Sequence, residues 1–469
     1  MIQQTVDQLL DSLSGALSVD GDQVSVVDEK RLREQVGDLV YNAVFAQGLV
    51  RDTARWLLWQ AGQSLGIYPA SIHDLYMAAG RGELPKRLTV PAINVRALNY
   101  TMSRAIFRAA NKLDVGALIF EIARSEMGYT DQRPAEYVAA VTGAAIKEGY
   151  RGPLFIQGDH FQVSAKGYAA DAEKEVGAVK DLIEEAIAAG FYNIDIDTST
   201  LVDLDFEGLD DQQRHNYEVC AELTRHTRQH EPEGVTVSLG GEIGEVGGHN
   251  STIPELRAFM DGYYRVLGEV AGISKISVQT GTSHGGVVLP DGTLAQVKVD
   301  FDTLAELSRV SREEYGIGGA VQHGASTLPP SAFDRFPLSD ALEIHLATGF
   351  QNIIFDELPA EVVDQAYSYL YEKLKGEWQE GKTEDQFLYS TRKKAIAPYK
   401  KAWWDLDQAI QERIGAALQE QFEFLFEKLA VTGTRAFAQA LTPQIRQDRP
   451  RPTEAAQESE LQIAADLAD

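Results

Sequence analysis

Eight short apolar segments, separated by amphipathic helical stretches, lie between about residues 88 and 357 and constrain this chain most strongly. They read LTVPAIN, GALIFEI, GPLFIQGDH, YNIDIDTST, TVSLGGEIG, ISKISVQTGTSH, GAVQHGAS and FQNIIFDE. Strands of a parallel sheet are buried on both faces, so they read as continuous apolar runs. Eight such runs with intervening helices predict an α/β fold, a closed (β/α)8 barrel of the TIM type. A doubly wound open sheet is the competing architecture, but no dinucleotide-type glycine fingerprint follows the first run.

Helical periodicity marks the chain on both sides of the predicted barrel. Residues 1–88 repeat apolar positions at helical spacing, as in LREQVGDLVYNAVF, and show no convincing strand. We therefore predict an N-terminal helical extension there and the barrel domain over residues 89–359. Residues 360–441 predict C-terminal helices that make oligomer contacts, which we favour over a second catalytic domain. Residues 442–469 are polar and contain proline, and they predict a flexible acidic tail.

The charge of the chain limits its partners. A formal net charge of -27 argues against nucleic acid or an anionic membrane as the main partner. No run has the length of a membrane span, the N-terminal stretch lacks the features of a signal peptide, and the single cysteine, Cys220, fits a reducing compartment. We therefore expect a cytoplasmic protein. In a chain this acidic, an anionic ligand would have to be bound by local groups: backbone N–H groups, a metal ion or a few cationic side chains.

Candidate metal ligands follow four of the predicted strands, at the end of a barrel where chemistry collects. Three of the nine histidines are among them, and the set comprises Asp159, His160, Glu242, His284 and His323. Three imidazoles around one open coordination position suit a catalytic divalent ion, most naturally Zn²⁺, that polarises a carbonyl or enediolate oxygen. Any one of these histidines could instead be a hydrogen-bonded loop residue. Their joint placement favours convergence on one centre.

Two neighbouring motifs each allow two interpretations. HGAS at 323–326 offers backbone N–H groups and the Ser326 hydroxyl as a phosphate cradle, or it is an ordinary tight turn. In IDIDTST, Asp195 and Asp197 point to one face of a strand, which suits a metal or a proton relay, or they cap the next helix. No lysine ends any of the eight runs, so a Schiff-base mechanism has no obvious nucleophile.

In order along the chain, GDH, IDTST, GEIGEVGG, TSHGG and QHGAS resemble the successive active-site motifs of the class II, metal-dependent fructose-bisphosphate aldolases. The resemblance spans roughly residues 90–356. It implies a zinc-dependent barrel enzyme of sugar metabolism (glycolysis and gluconeogenesis), a homodimer or higher homo-oligomer. Its substrate would be a ketose bisphosphate, by default fructose 1,6-bisphosphate, cleaved reversibly to dihydroxyacetone phosphate and glyceraldehyde 3-phosphate. Whether a monovalent cation assists phosphate binding is left open.

The resemblance also implies roles for individual residues. The zinc ligands would be His160, His284 and His323, and two acids that hold the metal in an alternative buried position would be Asp197 and Glu242. Asp159 would exchange a proton with the hydroxyl at the bond being broken. The substrate and its phosphates would contact Asn94, Gly285, Gly324, Ser326 and Asp356.

This chain departs from the family pattern in three places. His249 and Asn250 stand in the loop GGHNS where the family carries acids, so either Glu245 or Glu255 replaces them or the proton route differs. Ile354 stands where the last predicted strand should carry an asparagine, and the first 88 residues have no family counterpart.

Two further features of the resemblance concern other subunits. A cation from the C-terminal region of a partner subunit would reach the substrate phosphate. Lys400 or Lys401 matches it, although a solvated helical face is the favoured interpretation. The stretch from GDHFQVS to IDIDTST also resembles the accessory, non-catalytic subunit of tagatose-bisphosphate aldolase, but TSHGG and QHGAS favour a catalytic barrel.

Overall fold

The structure, a computed structural model, describes residues 1–244, 248–281, 289, 298–326 and 328–454. Residues preceding the barrel form the elements α1 Val6–Ser12, β1 Leu17–Asp20, β2 Gln23–Val26, α2 Glu29–Phe45, α3 Gly48–Ser64, β3 Ile67–Ala70 and α4 His73–Gly80. The extension is therefore not purely helical. β1 and β2 pair as an antiparallel hairpin, and β3 pairs in parallel with the first residues of a barrel strand, Gly152–Phe155.

The predicted parallel barrel is confirmed. Its strands are β4 Val90–Asn94, β5 Ile119–Ala123, β6 Gly152–Gln162, β7 Asn193–Asp197, β8 Ser238–Glu242, β9 Lys275–Val278, β10 Ala320–Gln322 and β11 Glu343–Leu346. Each pairs in parallel with its neighbour in chain order, and β11 closes the ring on β4 through pairs such as His345 with Ala92. Because all eight strands point the same way, their carboxyl ends meet at one mouth of the barrel.

Helices surround the ring. Those between the strands are α5 Asn99–Leu113, α6 Arg124–Thr130, α7 Pro134–Glu148, α8 Ala165–Ala170, α9 Ala172–Ala189, α10 Leu209–His230, α11 Ile253–Leu267, α12 Phe301–Tyr315, α13 Arg335–Leu338 and, after β11, α14 Thr348–Glu357. The N-terminal helices α2 and α3 pack on α7, which is buried along most of its length for that reason. Among the described helices, none combines the length and the apolar character that a bilayer crossing needs.

The prediction of the eighth strand was wrong. The segment FQNIIFDE belongs to helix α14, where Phe350, Ile354 and Phe355 recur at helical spacing and bury one face. The true strand is EIHL, residues 343–346, whose Glu343 and His345 are both buried inside the barrel. Two ionisable side chains interrupt the apolar run, so the sequence pattern did not mark it as a strand. Asp356, expected at a strand end, is exposed at the end of α14.

The C-terminal region contains α15 Ala360–Lys373, α16 Glu384–Thr391, α17 Ile396–Trp404, α18 Gln408–Lys428 and α19 Arg435–Leu441. α18 packs across α5 and α14, where the rings of Phe422 and Phe350 lie 4.9 Å apart. Residues 444–449 belong to the segment expected to be a flexible tail, yet they lie along α3. There Trp59 donates a hydrogen bond to the carbonyl of Gln447 and Trp56 donates one to that of Arg449.

Candidate active site and metal centre

A cavity of about 590 Å³ opens at the carboxyl ends of the barrel strands. Its lining comes from the ends of β5, β6, β7, β8, β10 and β11 and the segments that follow them, from Arg96 after β4, and from one side chain of the C-terminal region, Lys393. The predicted residues that line it are Asp159, His160, Asp197, Glu242, His323, Gly324 and Ser326. The strand-end pattern of the sequence therefore corresponds to one continuous surface of the barrel mouth.

A bulge in β6 presents two successive side chains to this cavity. The pairing of β6 with β7 shifts register between Gly158 and Phe161. His160 lies in the bulge with a φ of 41°, a left-handed conformation that is uncommon outside glycine. A Cβ on Gly158 would come within 2.4 Å of the Phe161 ring, so glycine is required beside the bulge. The extra residue allows both Asp159 and His160 to contact the cavity, although neighbours on a regular strand point to opposite faces.

Four side chains at the mouth form the outer cluster: His160, Asp197, Glu242 and His323. Nδ1 of His160 lies 3.1 Å from Asp197 and 3.2 Å from Glu242, and Nδ1 of His323 lies 3.6 Å from Glu242. Ligand atoms of His160, Glu242 and His323 all lie within 4.8 Å of one another. Asp197 is fixed in turn, because it accepts hydrogen bonds from the Ser199 hydroxyl and other donors around it.

Five side chains one layer deeper form the inner cluster: Glu121, Asp195, Lys275, Glu343 and His345. Nζ of Lys275 lies 2.8 Å from Asp195 and 2.5 Å from Glu343. His345 joins the layers, because its Nε2 lies 2.6 Å from Glu343 and its Nδ1 lies 3.0 Å from Glu121 and 3.2 Å from Asp159. A Cβ on Gly240 would lie 2.4 Å from Asp195, so this glycine leaves the space that the pair between Asp195 and Lys275 occupies.

Asp159 stands between the two clusters with imidazoles on three sides. Its Oδ1 lies 3.7 Å from His160, 3.8 Å from His323 and 3.2 Å from His345. Burial by itself would raise the pKa of Asp159, but His160 and His345 outweigh it and hold that pKa well below its usual value. The carboxylate is therefore ionised at neutral pH.

The pKa values of other acids in the two clusters are shifted in opposite directions. Burial alone would raise the pKa of Asp197, but hydrogen bonding and charge from His160 lower it to about 2. Burial and the nearby Asp159 raise the pKa of Glu121 to about 8, and burial raises that of Asp195 to about 6 against the pull of Lys275. Glu343 differs from these two inner acids, because Lys275 and His345 outweigh burial and hold its pKa well below its usual value. The site thus combines ionised acids with two inner acids that hold a proton more readily.

The donor set fits a divalent transition metal. Two imidazoles and a carboxylate are ligands that catalytic zinc sites use, and His160, Glu242 and His323 of the outer cluster are close enough to share one ion. The balance of charge also favours a cation. The two clusters together with Asp159 contain six buried carboxylates and a single buried lysine, and such an excess requires further positive charge, on the imidazoles or from a metal ion. The six are Glu121, Asp159, Asp195, Asp197, Glu242 and Glu343.

Several predicted residues lie elsewhere. Asn94 donates a hydrogen bond to Glu126 instead of lining the cavity, and Glu255 caps the start of α11. Lys400 is buried against Glu136, and Lys401 pairs with Asp405 on the surface, so neither lines the cavity of its own chain. Contact of either lysine with the substrate of a partner subunit stays a prediction. The predicted His284 and Gly285, together with the alternative acid Glu245, lie outside the described residues.

The sequence alone did not reveal five side chains of the site. Four of them lie in or at the start of strands, where no turn motif marks them: Glu121, Lys275, Glu343 and His345. The fifth is Lys393, which lies in the 3-10 turn Arg392–Ala395 and reaches the mouth over the ring of Tyr129, 5.4 Å from its centroid. The one available signal was EIHL itself, a short β-like run with two ionisable residues on the same face.

Comparison with known proteins gives structural neighbours only. No protein-family model and no curated protein matches the sequence. The chain is similar to the fructuronate-tagaturonate epimerase UxaE from Cohnella laeviribosi, with a TM-score of 0.52 and 12% identity over 92% of this chain and 89% of that one. It is also similar to a probable tagatose 6 phosphate kinase from Sinorhizobium meliloti 1021, with a TM-score of 0.51 and 15% identity over 75% and 93%.

A fructose-bisphosphate aldolase from Campylobacter jejuni matches with a TM-score of 0.46 and 15% identity over 77% of this chain and 94% of that one. At these identities the two matches above 0.5 establish a shared barrel fold. The match to the epimerase extends over most of the regions outside the barrel as well.

Proposed function

We propose that this protein is a metal-dependent aldolase that reversibly cleaves a carbon–carbon bond of a ketose bisphosphate, with Zn²⁺ as its metal. Fructose 1,6-bisphosphate is the first substrate to test, and it would give dihydroxyacetone phosphate and glyceraldehyde 3-phosphate. Tagatose 1,6-bisphosphate, which differs at one carbon, is the alternative. The observation that carries the proposal is the convergence of His160, Glu242 and His323 beside the ionised Asp159.

Zinc bound to the outer cluster would polarise the ketose carbonyl and stabilise the negative charge that cleavage leaves on the three-carbon fragment. The carboxylate of Asp159 acts as the general base. It accepts the proton of the hydroxyl at the bond to be broken, while the O–H electron pair forms the aldehyde carbonyl and the carbon–carbon bond breaks. In condensation Asp159 returns the same proton to the new hydroxyl. His345 holds Asp159 in place from below, at 3.2 Å.

A Schiff-base mechanism has no support in the barrel interior. Lys275 is the lysine that lies there among the described residues, and two carboxylates hold it. Burial opposes its charge, but Asp195 and Glu343 outweigh burial and raise its pKa. A lysine kept protonated in this way is not a nucleophile at neutral pH.

Lys393 is the candidate for substrate phosphate recognition. No described carboxylate lies within 4 Å of its Nζ, and both burial and the nearby Arg96 lower its pKa. An anion at this edge of the cavity would therefore relieve repulsion between two cations. Gly324 and Ser326 line the cavity in the loop after β10, where backbone N–H groups can contribute as well.

A second candidate function is chemistry on a ketose with a single anionic group, such as epimerisation of a keto-sugar acid. The charge of the cavity favours it. Of the described lining residues only Arg96 and Lys393 are cationic apart from histidine, and Arg96 is paired with Glu126 at 2.6 Å. One uncommitted lysine suits one anionic group better than two phosphates.

The test combines metal analysis with a substrate panel. Tag-free protein is assayed for bound metal and for turnover of fructose 1,6-bisphosphate, tagatose 1,6-bisphosphate and the keto-sugar acids fructuronate and tagaturonate, before and after treatment with a chelator. We expect bound zinc and aldol cleavage that chelation abolishes and zinc restores. His323→Ala should lose the cleavage activity and one bound zinc per chain, whereas His215→Ala, exposed on the outside of α10, should lose neither.

The remaining outcomes separate the alternatives. Turnover of the sugar acids alone would select the epimerase. Bound metal without turnover of any ketose would support a non-catalytic accessory barrel. Protein that binds no metal and turns over none of the panel would refute the proposed function. Light scattering on the same samples tests the proposed homo-oligomer.

A further inference from the structure

A second cluster of metal-ligating side chains lies on the outer helical layer, away from the barrel mouth. It comprises Glu184 on α9 with His226 and His230 on α10, and we refer to it as the α9–α10 cluster. The two histidines are four residues apart, so they lie on one face of the helix, and their ring centroids are 4.3 Å apart. Ligand atoms of all three residues lie within 4.8 Å of one another.

A single carboxylate oxygen faces both imidazoles. Oε1 of Glu184 lies 3.0 Å from Nε2 of His226 and 3.4 Å from Nε2 of His230. A tetrahedral zinc ion with bonds of about 2.0–2.2 Å separates neighbouring ligand atoms by about 3.4 Å. The spacing of the three atoms is therefore close to that of a shared ion.

The hydrogen bond at Nδ1 of His230 fixes the tautomer of this histidine. Nδ1 of His230 lies 2.8 Å from the carbonyl oxygen of His226, which can only accept, so Nδ1 carries the proton. When the ring is neutral, its Nε2 then presents a lone pair toward the carboxylate oxygen of Glu184. Two acceptors that face each other repel unless a cation lies between them. A backbone hydrogen bond of this kind is also how metal-binding histidines are oriented.

The lysine next to the cluster is committed to another partner. Lys180 pairs with Glu222 at 2.6 Å, so it does not neutralise Glu184. The rings of His226 and His230 are partly exposed, with 14% and 37% of their side-chain surfaces accessible, so an ion can reach them from solvent.

Free space lies next to the cluster. Glu184 and His230 line a cavity of about 540 Å³ that shares no residue with the cavity at the barrel mouth. Arg449 of the C-terminal segment lies on its wall, stacked over Trp59 at 3.3 Å. Three protein ligands with an open side leave at least one coordination position for water or for a small ligand.

We propose that Glu184, His226 and His230 form a second divalent transition-metal site, of the zinc type, that links α9 to α10. It is independent of the proposed catalytic metal. Imidazole and carboxylate donors together select zinc, cobalt, nickel or copper over magnesium and calcium, which prefer oxygen donors alone.

The test uses tag-free, metal-stripped protein in which His323→Ala weakens the barrel site. Isothermal titration with Zn²⁺, and Co²⁺ absorbance for coordination geometry, are compared with and without His226→Ala and His230→Ala. We expect one remaining zinc site per chain, and each of these two substitutions should weaken its zinc affinity by about tenfold or more. Loss of a hydrogen-bond partner of a metal ligand already changes metal affinity on that scale. His215→Ala, on the same helix and outside the cluster, should leave that site unchanged.

A second measurement does not depend on the barrel variant. In the wild-type chain, Zn²⁺ should protect His226 and His230, but not His215, from modification by diethyl pyrocarbonate. Equal zinc stoichiometry and affinity with and without the two cluster histidines would overturn the proposal, and so would modification of His226 and His230 that zinc does not slow. Neither outcome bears on the barrel site, so failure here is separate from failure of the proposed aldolase.

Discussion

Replacing Lys275 with methionine tests whether the inner cluster is held together by charge. Lys275 and Glu343 are completely buried, and Asp195 is 4% exposed. Breaking a buried ion pair by removing one partner costs about 3–5 kcal/mol, because the other charge is left uncompensated. Glu343 keeps His345 and Tyr76 as partners, whereas Asp195 loses its nearest cation. We therefore expect K275M to lower the free energy of unfolding by about 3 kcal/mol, the lower end of that range.

Urea unfolding followed by circular dichroism measures this difference. The matched control is the double variant K275M/D195N, in which the uncompensated charge is also removed. It should recover about 1–2 kcal/mol of the loss, since the coupling between two residues in contact is of that size. A K275M protein within about 0.5 kcal/mol of the wild type, the usual effect of a surface substitution, would refute the view that Lys275 neutralises the barrel interior.

Three further predictions concern the mouth and the lower end of the barrel. Asp159→Asn should keep bound zinc and lose about 10²-fold or more in kcat, the scale of general-base catalysis; full activity in the presence of metal would contradict the role of Asp159. Lys393→Met should raise KM for a phosphorylated ketose by about tenfold with little change in kcat, the loss expected for one charge-assisted contact, whereas Lys30→Met, at an exposed position on α2, should change neither. Burial, with help from Arg228, lowers the pKa of His73 from 6.5 to about 4. The unfolded chain therefore binds this proton first, and stability should fall by up to about 3 kcal/mol as pH drops from 6.5 to 4. His73→Asn should flatten that part of the curve of unfolding free energy against pH, and an unchanged curve would exclude His73 as its source.

Much of the barrel could be predicted from the sequence because buried parallel strands appear as short continuous runs of apolar residues. Seven of the eight predicted segments contain all or most of a barrel strand. The short polar turns that follow them place Asp159, His160, Glu242 and His323 at the mouth, as the closure of a parallel barrel requires. These predictions hold because each depends on residues close together in the chain.

The eighth strand, the inner cluster and the cation at the mouth depend on tertiary structure instead. Glu343 and His345 can lie inside a strand only because Lys275, Asp195 and Glu121 from other strands neutralise them, and those partners are far away in the sequence. When these distant partners are not known, the two ionisable residues of EIHL argue against a buried strand. The apolar residues of helix α14, by contrast, resemble a buried strand. The apolar pattern by itself determined that the chain closes a parallel barrel and where its mouth lies. Which charges meet inside the barrel was decided by its closure, because packing across the ring joins residues that no local pattern connects.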